Sequence, residues 1–301
     1  MKILIILIFF VIVSSATHSV ESFAKSVAAP PLPSVDLTAP QEGRPDRLGL
    51  DAAGRPAWIG LEPGLDFGEF RLNGDESKIT ALRVDPAKFD FFLGASSQDG
   101  GDPRSLDKWA KEYDLLAAIN ASMYLPDNRT STGFMRSGDH VNQGRVMERF
   151  GAFFVAGPKK DDIPRATIID KDLPDWRERL DDYNIVVQNY RMTSADRRIL
   201  WSPGGPASSI SAIAQDGDGN ILFLHSRAPV EVYNFAHHLL HLPLDIRTVM
   251  YVEGGAQAGL LINTGAIKRE LGAPHAPSFL AAGVLKAILP NIIGVKQNSK
   301  N

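Results

Sequence analysis

Apolar and polar positions alternate in short blocks along much of this chain. Residues 65–72 (LDFGEFRL), 79–84 (ITALRV) and 89–93 (FDFFL) read as three short strands, with Asp85-Pro86 as one of the breaks between them. Leu106, Trp109, Ala110, Tyr113 and Ala117 then recur at helical spacing behind Ser105, a candidate cap. The run 115–120 (LLAAIN) reads as a buried strand and leaves through Asn120-Ala121-Ser122-Met123-Tyr124. Turn residues fill 126–138, and 151–155 and 183–188 read as further strands. The charged stretch 161–182, with Pro174 inside it, reads as a surface loop with a short helix.

The pattern is clearest in the last third. Residues 210–214 and 221–225 flank Asp216-Gly217-Asp218-Gly219 as a hairpin. Residues 229–242 form the best helix, with Val232, Phe235, Ala236, Leu239 and Leu240 on one stripe and Pro243 ending it. The run 248–252 (TVMYV) is a short buried strand, so the region reads ββαββ, and 290–295 supplies a closing strand. At the exit of the 248–252 strand stand Glu253, Gly254 and Gly255. Two glycines let another backbone or a ligand approach closely. Alone, the triplet reads as a hairpin turn with 259–262 returning as a paired strand; an acid there also suits chemistry.

The N-terminus has a different texture. Lys2 precedes an apolar run of 11 residues, 3–13, too short to span a bilayer comfortably. Small residues follow, with cleavage after Ala16 or Ala24 possible, and 1–24 reads as a secretory signal peptide. Residues 25–56 are rich in Pro and Ala and read as a flexible linker; one folded domain is expected over 57–297. No other stretch is apolar enough for a membrane span, so none is expected after signal cleavage. The chain lacks Cys, which excludes disulfides, thiolate metal sites and a Cys nucleophile. An exported protein without disulfides suits a bacterial periplasm. The net charge of −3, with no long basic run, gives no sign of nucleic-acid binding.

Most familiar chemical motifs are missing. G-x-S-x-G, the P-loop and the dinucleotide fingerprint do not occur. His237 and His241 have zinc-ligand spacing, but the glutamate expected between such ligands is absent, and with His238 they point away from the apolar stripe. They read as a polar face, and neither a metal nor a cofactor is expected. Asp216-x-Asp218-x-Asn220 resembles the start of a calcium loop without the rest and reads as a turn. What remains is a set of polar residues at strand ends: Asn120, His140, Asn142, Gln188, Arg191, His225 and Glu253. Each has an ordinary role as cap, ion-pair partner or packed side chain. Together they can line a cleft in which Arg191 holds a phosphate and Glu253 serves as acid, base or nucleophile.

The segments 81–93, 117–124, 140–158, 185–192, 211–226, 230–242 and 250–255, in this order, resemble the phosphodiester glycosidase family, its bacterial branch in particular; 290–295 resembles the family's ending. The resemblance implies a single α+β domain of mixed β-sheets flanked by helices. It implies hydrolysis of a sugar-1-phosphodiester at the anomeric carbon, and hence a carbohydrate or sugar-phosphate partner. Asn120 matches the family's N-[AG]-x-[MF]-[YF] motif. Gln188 and Arg191 match a Q-x-x-P-R-like motif with Tyr190 in place of the Pro. Glu253-Gly254-Gly255 stands where the family has Asp-Gly-Gly. On this reading Glu253 is catalytic, and Asn120, Gln188, Arg191, Gly254, Gly255, Asn142 and His225 bind substrate. Two departures stand out: Glu253 is one methylene longer than the usual Asp, and Ile210-Ser211 replaces an Arg-Thr pair, which removes a positive charge. Asp139 is the remaining candidate for a second carboxylate. The alternative is an inactive envelope glycan-binding protein on the same fold.

Overall fold

The computed structural model describes residues 49–51, 53–72, 77–272 and 286–298. The proposed signal peptide and residues 25–48 of the proposed linker lie outside them. Strands dominate, in three sheets, and every strand pairing among the described residues is antiparallel. The expected mixed sheets are therefore not what forms. Parallel pairs need long crossovers, whereas most connections here are short enough for antiparallel neighbours.

The largest sheet runs β1 (Ile59–Glu62), β2 (Leu65–Arg71), β3 (Lys78–Val84), β13 (Ile221–Val230), β12 (Ser208–Asp216), β14 (Ile246–Gly254) and β11 (Arg191–Thr193). A second sheet runs β7 (His140–Gln143), β6 (Met135–Ser137), β10 (Tyr183–Asn189), β8 (Ala152–Pro158) and β9 (Ala166–Asp170). The third runs β16 (Lys268–Gly272), β15 (Gly259–Asn263), β5 (Ala117–Asn120), β17 (Asn291–Gln297) and β4 (Phe89–Ala95).

All three sheets contribute to one core. Leu82, Phe223 and Val252 of the first meet Phe154 and Val187 of the second and Phe91, Ile119 and Leu260 of the third. Apolar residues on the opposite faces are covered by helices. Leu106, Trp109 and Ala110 of α1 (Leu106–Tyr113) cover Ala118 and Ile292; Trp176 and Leu180 of α2 (Trp176–Asp181) cover Phe153 and Val186; Val232, Phe235, Ala236 and Leu239 of α3 (Val232–His241) cover Ala212 and Leu224. This explains why many strands are apolar on both faces instead of alternating.

Three expectations are corrected here. The 161–182 stretch contains β9, an Ala-Thr-Ile-Ile strand with β-branched character that its charged flanks obscured. The strand expected from residue 115 begins at Ala117, because Asp114 takes a left-handed φ of 52° to end α1. The glycine triplet is not a hairpin turn. β15 pairs with β5 and β16, so the chain crosses from the first sheet to the third directly after Glu253. The Asp216 turn is as read: Oδ1 accepts from the Asp218 and Asn220 backbone N–H groups at 3.0 and 2.9 Å.

Candidate functional site

The crossing places Glu253 where two sheets part. Ser211 pairs with Glu253, while Ala212 pairs with Tyr251, so Val252 is an extra residue in β14. Such a bulge re-aims the side chain that follows it. Both glycines are required. A Cβ on Gly254 would lie 2.1 Å from the Tyr251 hydroxyl, and Gly255 adopts φ 69°.

Glu253 is 9% exposed, and its Oε1 accepts from the Gly254 N–H at 2.9 Å. Among the described residues no cation pairs with it. Burial raises its pKa to about 7, opposed in part by that N–H. The ionisable groups that sense its charge are two phenols, Tyr124 and Tyr251, both raised above the ordinary value mainly by their own burial. No second carboxylate contributes to its shift, and Asp139 lies exposed in the turn between β6 and β7.

His225, Ser211 and Glu253 occupy paired positions across three adjacent strands. Ser211 Oγ lies 3.1 Å from His225 Nδ1 and donates to the Gly259 carbonyl at 3.2 Å. Burial pushes the imidazole down to about 4, and the charge of Arg227 adds to this, so it is neutral at pH 7. His225 Nε2 is buried without a protein hydrogen bond.

Asn120 holds the other side of the crossing. Its Nδ2 donates to the Gln257 carbonyl at 2.7 Å, and its Oδ1 accepts from the Gly259 N–H at 2.9 Å. Asn189 donates to the Ala121 carbonyl, and Asn291 Oδ1 accepts from Ser122. Asn189 Oδ1, Gln257 Oε1 and Asn291 Nδ2 are buried without protein partners. A buried polar atom left over in this way calls for a partner such as a ligand or a bound water.

The remaining expected residues are placed differently. Gln188 Oε1 accepts from the N–H groups of Phe134 and Met147, and its Nε2 donates to the carbonyls of Met147 and Phe150. Every polar atom it has is used to latch a loop, so it is a positioning residue and not a substrate contact. Arg191 pairs with Asp170 and with Asp172 and sits 13% exposed. Two carboxylates already occupy its guanidinium, so it is not a free phosphate ligand. Asn142 donates to Ser97 Oγ and the Arg129 carbonyl and accepts from the Ser131 N–H, which ties down the 122–131 loop. His140 Nε2 lies 2.9 Å from the same Ser97 hydroxyl.

Sequence reasoning passed over Ser211, Tyr124, Asn189, Gln257 and Tyr251. Tyr124 and Asn189 lie inside motifs that were noticed. Ser211 stood out only as the replacement of a family Thr, and its strand register singles it out.

The family profile described as phosphodiester glycosidase matches residues 113–296. The chain belongs to this family. That span contains Glu253, Asn120, Gln188 and Arg191. The phosphodiester glycosidase fold is also found by structure. The catalytic domain of zebrafish N-acetylglucosamine-1-phosphodiester α-N-acetylglucosaminidase, described as auto-inhibited by its pro-peptide, superposes with a TM-score of 0.58 at 9% identity, over 85% of this chain and 88% of that one. A hypothetical protein from Synechocystis superposes with a TM-score of 0.51 at 13% identity, over 80% of this chain and 63% of that one. At these identities the likeness concerns the fold. No curated protein matches the sequence.

Proposed function

We propose that this phosphodiester glycosidase family member is an exported hydrolase that cleaves a sugar-1-phosphodiester, or a related glycoconjugate, at the anomeric carbon. Glu253 is its catalytic carboxylate. The observation that carries the reading is a buried acid with no cationic partner among the described residues and a pKa near 7, at the crossing between two sheets. An unpaired buried charge is costly, so the carboxyl takes up a proton near neutral pH, where a general base is poised. Export rests on the apolar run 3–13 behind Lys2, and the domain over 57–297 on the continuity of the core.

The chemistry follows from the leaving group. A phosphomonoester leaves C1 as a stabilised anion and needs little protonation. The demand is for activation of the attacking water and for negative charge near an oxocarbenium-like centre. Glu253 in its ionised form meets both needs, taking the water's proton as the C1–O bond breaks. Asn120 holds the 255–259 crossing, and Ser211 with neutral His225 supports the strand beside it.

The test is the pH profile of kcat/KM on α-glycosyl phosphodiesters, for the wild type and Glu253→Gln. A base predicts a rate that rises with pH and levels off above about 7. The Gln variant should lose about a hundredfold or more, the usual weight of a general base. Equal turnover by both proteins removes Glu253 from the mechanism.

A second reading is a glycan-binding protein without turnover. The absence of a second carboxylate acting on Glu253, and the pairing of Arg191 by Asp170 and Asp172, favour it. Wild-type binding without product release over the same substrates would establish it.

A further inference from the structure

The outer side of α3 carries three histidines that the candidate site does not use. Val232, Phe235, Ala236 and Leu239 pack on the first sheet, and His237 and His241, four residues apart, share the opposite side of the helix. Their rings lie 4.1 Å apart, centre to centre, with 33° between the planes. His237 is half-buried and stacks toward Tyr233, with ring centres 6.3 Å apart, while His241 is exposed. Both stand in the last turns of the helix, which closes with the Leu242 N–H on the His238 carbonyl at 3.1 Å.

One hydrogen bond fixes the chemistry of His241. Its Nδ1 lies 2.7 Å from the His237 carbonyl oxygen. A carbonyl only accepts, so Nδ1 carries a proton and the neutral ring keeps its lone pair on Nε2. Metal-bound histidines are held in the same way, with the other ring N–H on a backbone carbonyl. The His237 ring makes no hydrogen bond among the described residues. Burial, with the charge of His241, holds its imidazole below the ordinary value, so it stands neutral near pH 7. The acid nearest in sequence to His241 is Asp245, which pairs with Arg197 and Arg247. The ring of His238 stands edge-on to that of His237, 5.9 Å away at 82°. Among the described residues no group of three or more His, Asp or Glu is placed to hold a metal, so the pair is a two-nitrogen chelate.

The ring separation discriminates among ions. With metal–nitrogen bonds of about 2.0–2.1 Å, imidazoles bound at a right angle bring their centres to roughly 4.5 Å, and at the tetrahedral angle to roughly 5.2 Å. The observed 4.1 Å lies nearer the right angle, the geometry of Cu(II) and Ni(II) and not of Zn(II). The C-terminal turn of a helix also favours a cation.

We propose that His237 and His241 form a two-histidine site for a tetragonal divalent ion, Cu(II) first and Ni(II) second, that staples the last turn of α3. Water completes the coordination. The site lies on the side of α3 away from the first sheet, so it stands or falls apart from the hydrolase reading of Glu253.

The metal ions alone test the proposal, on the full chain without a polyhistidine tag. Calorimetry with glycine as a competing ligand should show Cu(II) bound at a site that needs both histidines. Electron paramagnetic resonance should show an axial, tetragonal signal split by two imidazole nitrogens. His237→Gln and His241→Gln should each weaken Cu(II) binding about tenfold or more, as loss of one of two ligands does, and His238→Gln should not. None of the three histidines is fully buried, so the variants are expected to fold, as circular dichroism will confirm. An ion chelated across a folded turn stabilises the folded state. Excess Cu(II) should therefore raise the unfolding midpoint of the wild type and of His238→Gln, and leave the other two variants unmoved. The order of affinity should be Cu(II), then Ni(II), then Zn(II). Unchanged Cu(II) affinity in His237→Gln or His241→Gln overturns the site, as does an equal loss in His238→Gln or the absence of Cu(II) binding by the wild type. Zn(II) bound more tightly than Ni(II) overturns the tetragonal assignment.

Discussion

At the scale of single residues, the glycine pair after Glu253 makes a sharp claim. A methyl on Gly254 would stand 2.1 Å from the Tyr251 hydroxyl, well inside contact distance. Gly254→Ala should therefore cost about 1–3 kcal/mol through overpacking. Tyr251→Phe removes that hydroxyl, so the double variant should recover a measurable part of the loss in urea unfolding. Strict additivity of the two changes would show that the clash is not the cause. Gly255→Ala has a different origin. Its φ of 69° is left-handed, and the expected cost is about 1–2 kcal/mol, which no change at Tyr251 relieves. Arg191 yields a third residue-scale expectation. With two carboxylate partners it is a cross-link between β11 and the end of β9. Breaking it leaves a half-buried Asp170 unpaired, so Arg191→Gln should lower the unfolding midpoint; a rise in KM with unchanged stability would instead return it to the substrate site.

At the scale of elements, Gln188 is the best test of positioning. It is fully buried at the end of β10 and closes four hydrogen bonds to the backbone of two loops. Gln188→Ala leaves those N–H and carbonyl groups without partners, and a loss of about 2–4 kcal/mol is expected, with faster amide exchange at Met147 and Phe150. Unchanged exchange there would show that the latch is unimportant. The same residue shows where the sequence was legible. Strands 65–71, 78–84, 183–189 and the 232–241 helix follow their apolar patterns closely, because burial on one or both faces writes itself into composition. Short strands such as β6 and β11 carry only three residues and leave no period to detect. The role of Gln188 was not legible for another reason. An amide that binds substrate and an amide that binds backbone are the same residue at the same strand end, and only its partners tell them apart. Glu253 was legible as a carboxylate beside glycines, but not as unpaired, because pairing is set by strands far away in sequence. The hairpin reading failed likewise: whether β15 returns to β14 or leaves for β5 depends on which sheet has an open edge.

At the scale of the whole molecule, two buried groups on the strands either side of β12 set opposite pH dependences for folding. Glu253 is raised from 4.5 to about 7, so between those values the folded state holds a proton that the unfolded state has released. Its contribution is full below about 4.5 and is lost as pH rises through about 7. His225 is lowered from 6.5 to about 4, so between those values the unfolded state holds a proton that the folded state excludes. Its contribution is full above about 6.5 and is lost as pH falls through about 4. Over the shared window the two slopes, each about 1.4 kcal/mol per pH unit at most, have opposite signs and largely cancel. The wild type should therefore show a nearly flat contribution from this pair between about pH 4.5 and 6.5, and a decline toward about pH 7. Glu253→Gln removes one partner of that balance and keeps an acceptor for the Gly254 N–H. Its unfolding free energy should exceed that of the wild type by about 1–3 kcal/mol above pH 7, and should fall more steeply than wild type as the solution is acidified. His225→Gln should do the reverse and lose stability more steeply as pH rises through the same window. Denaturant unfolding across this range, with the three proteins side by side, measures both slopes. Parallel curves would show that Glu253 and His225 titrate normally, and the case for Glu253 as a base tuned to neutral pH would fall with them.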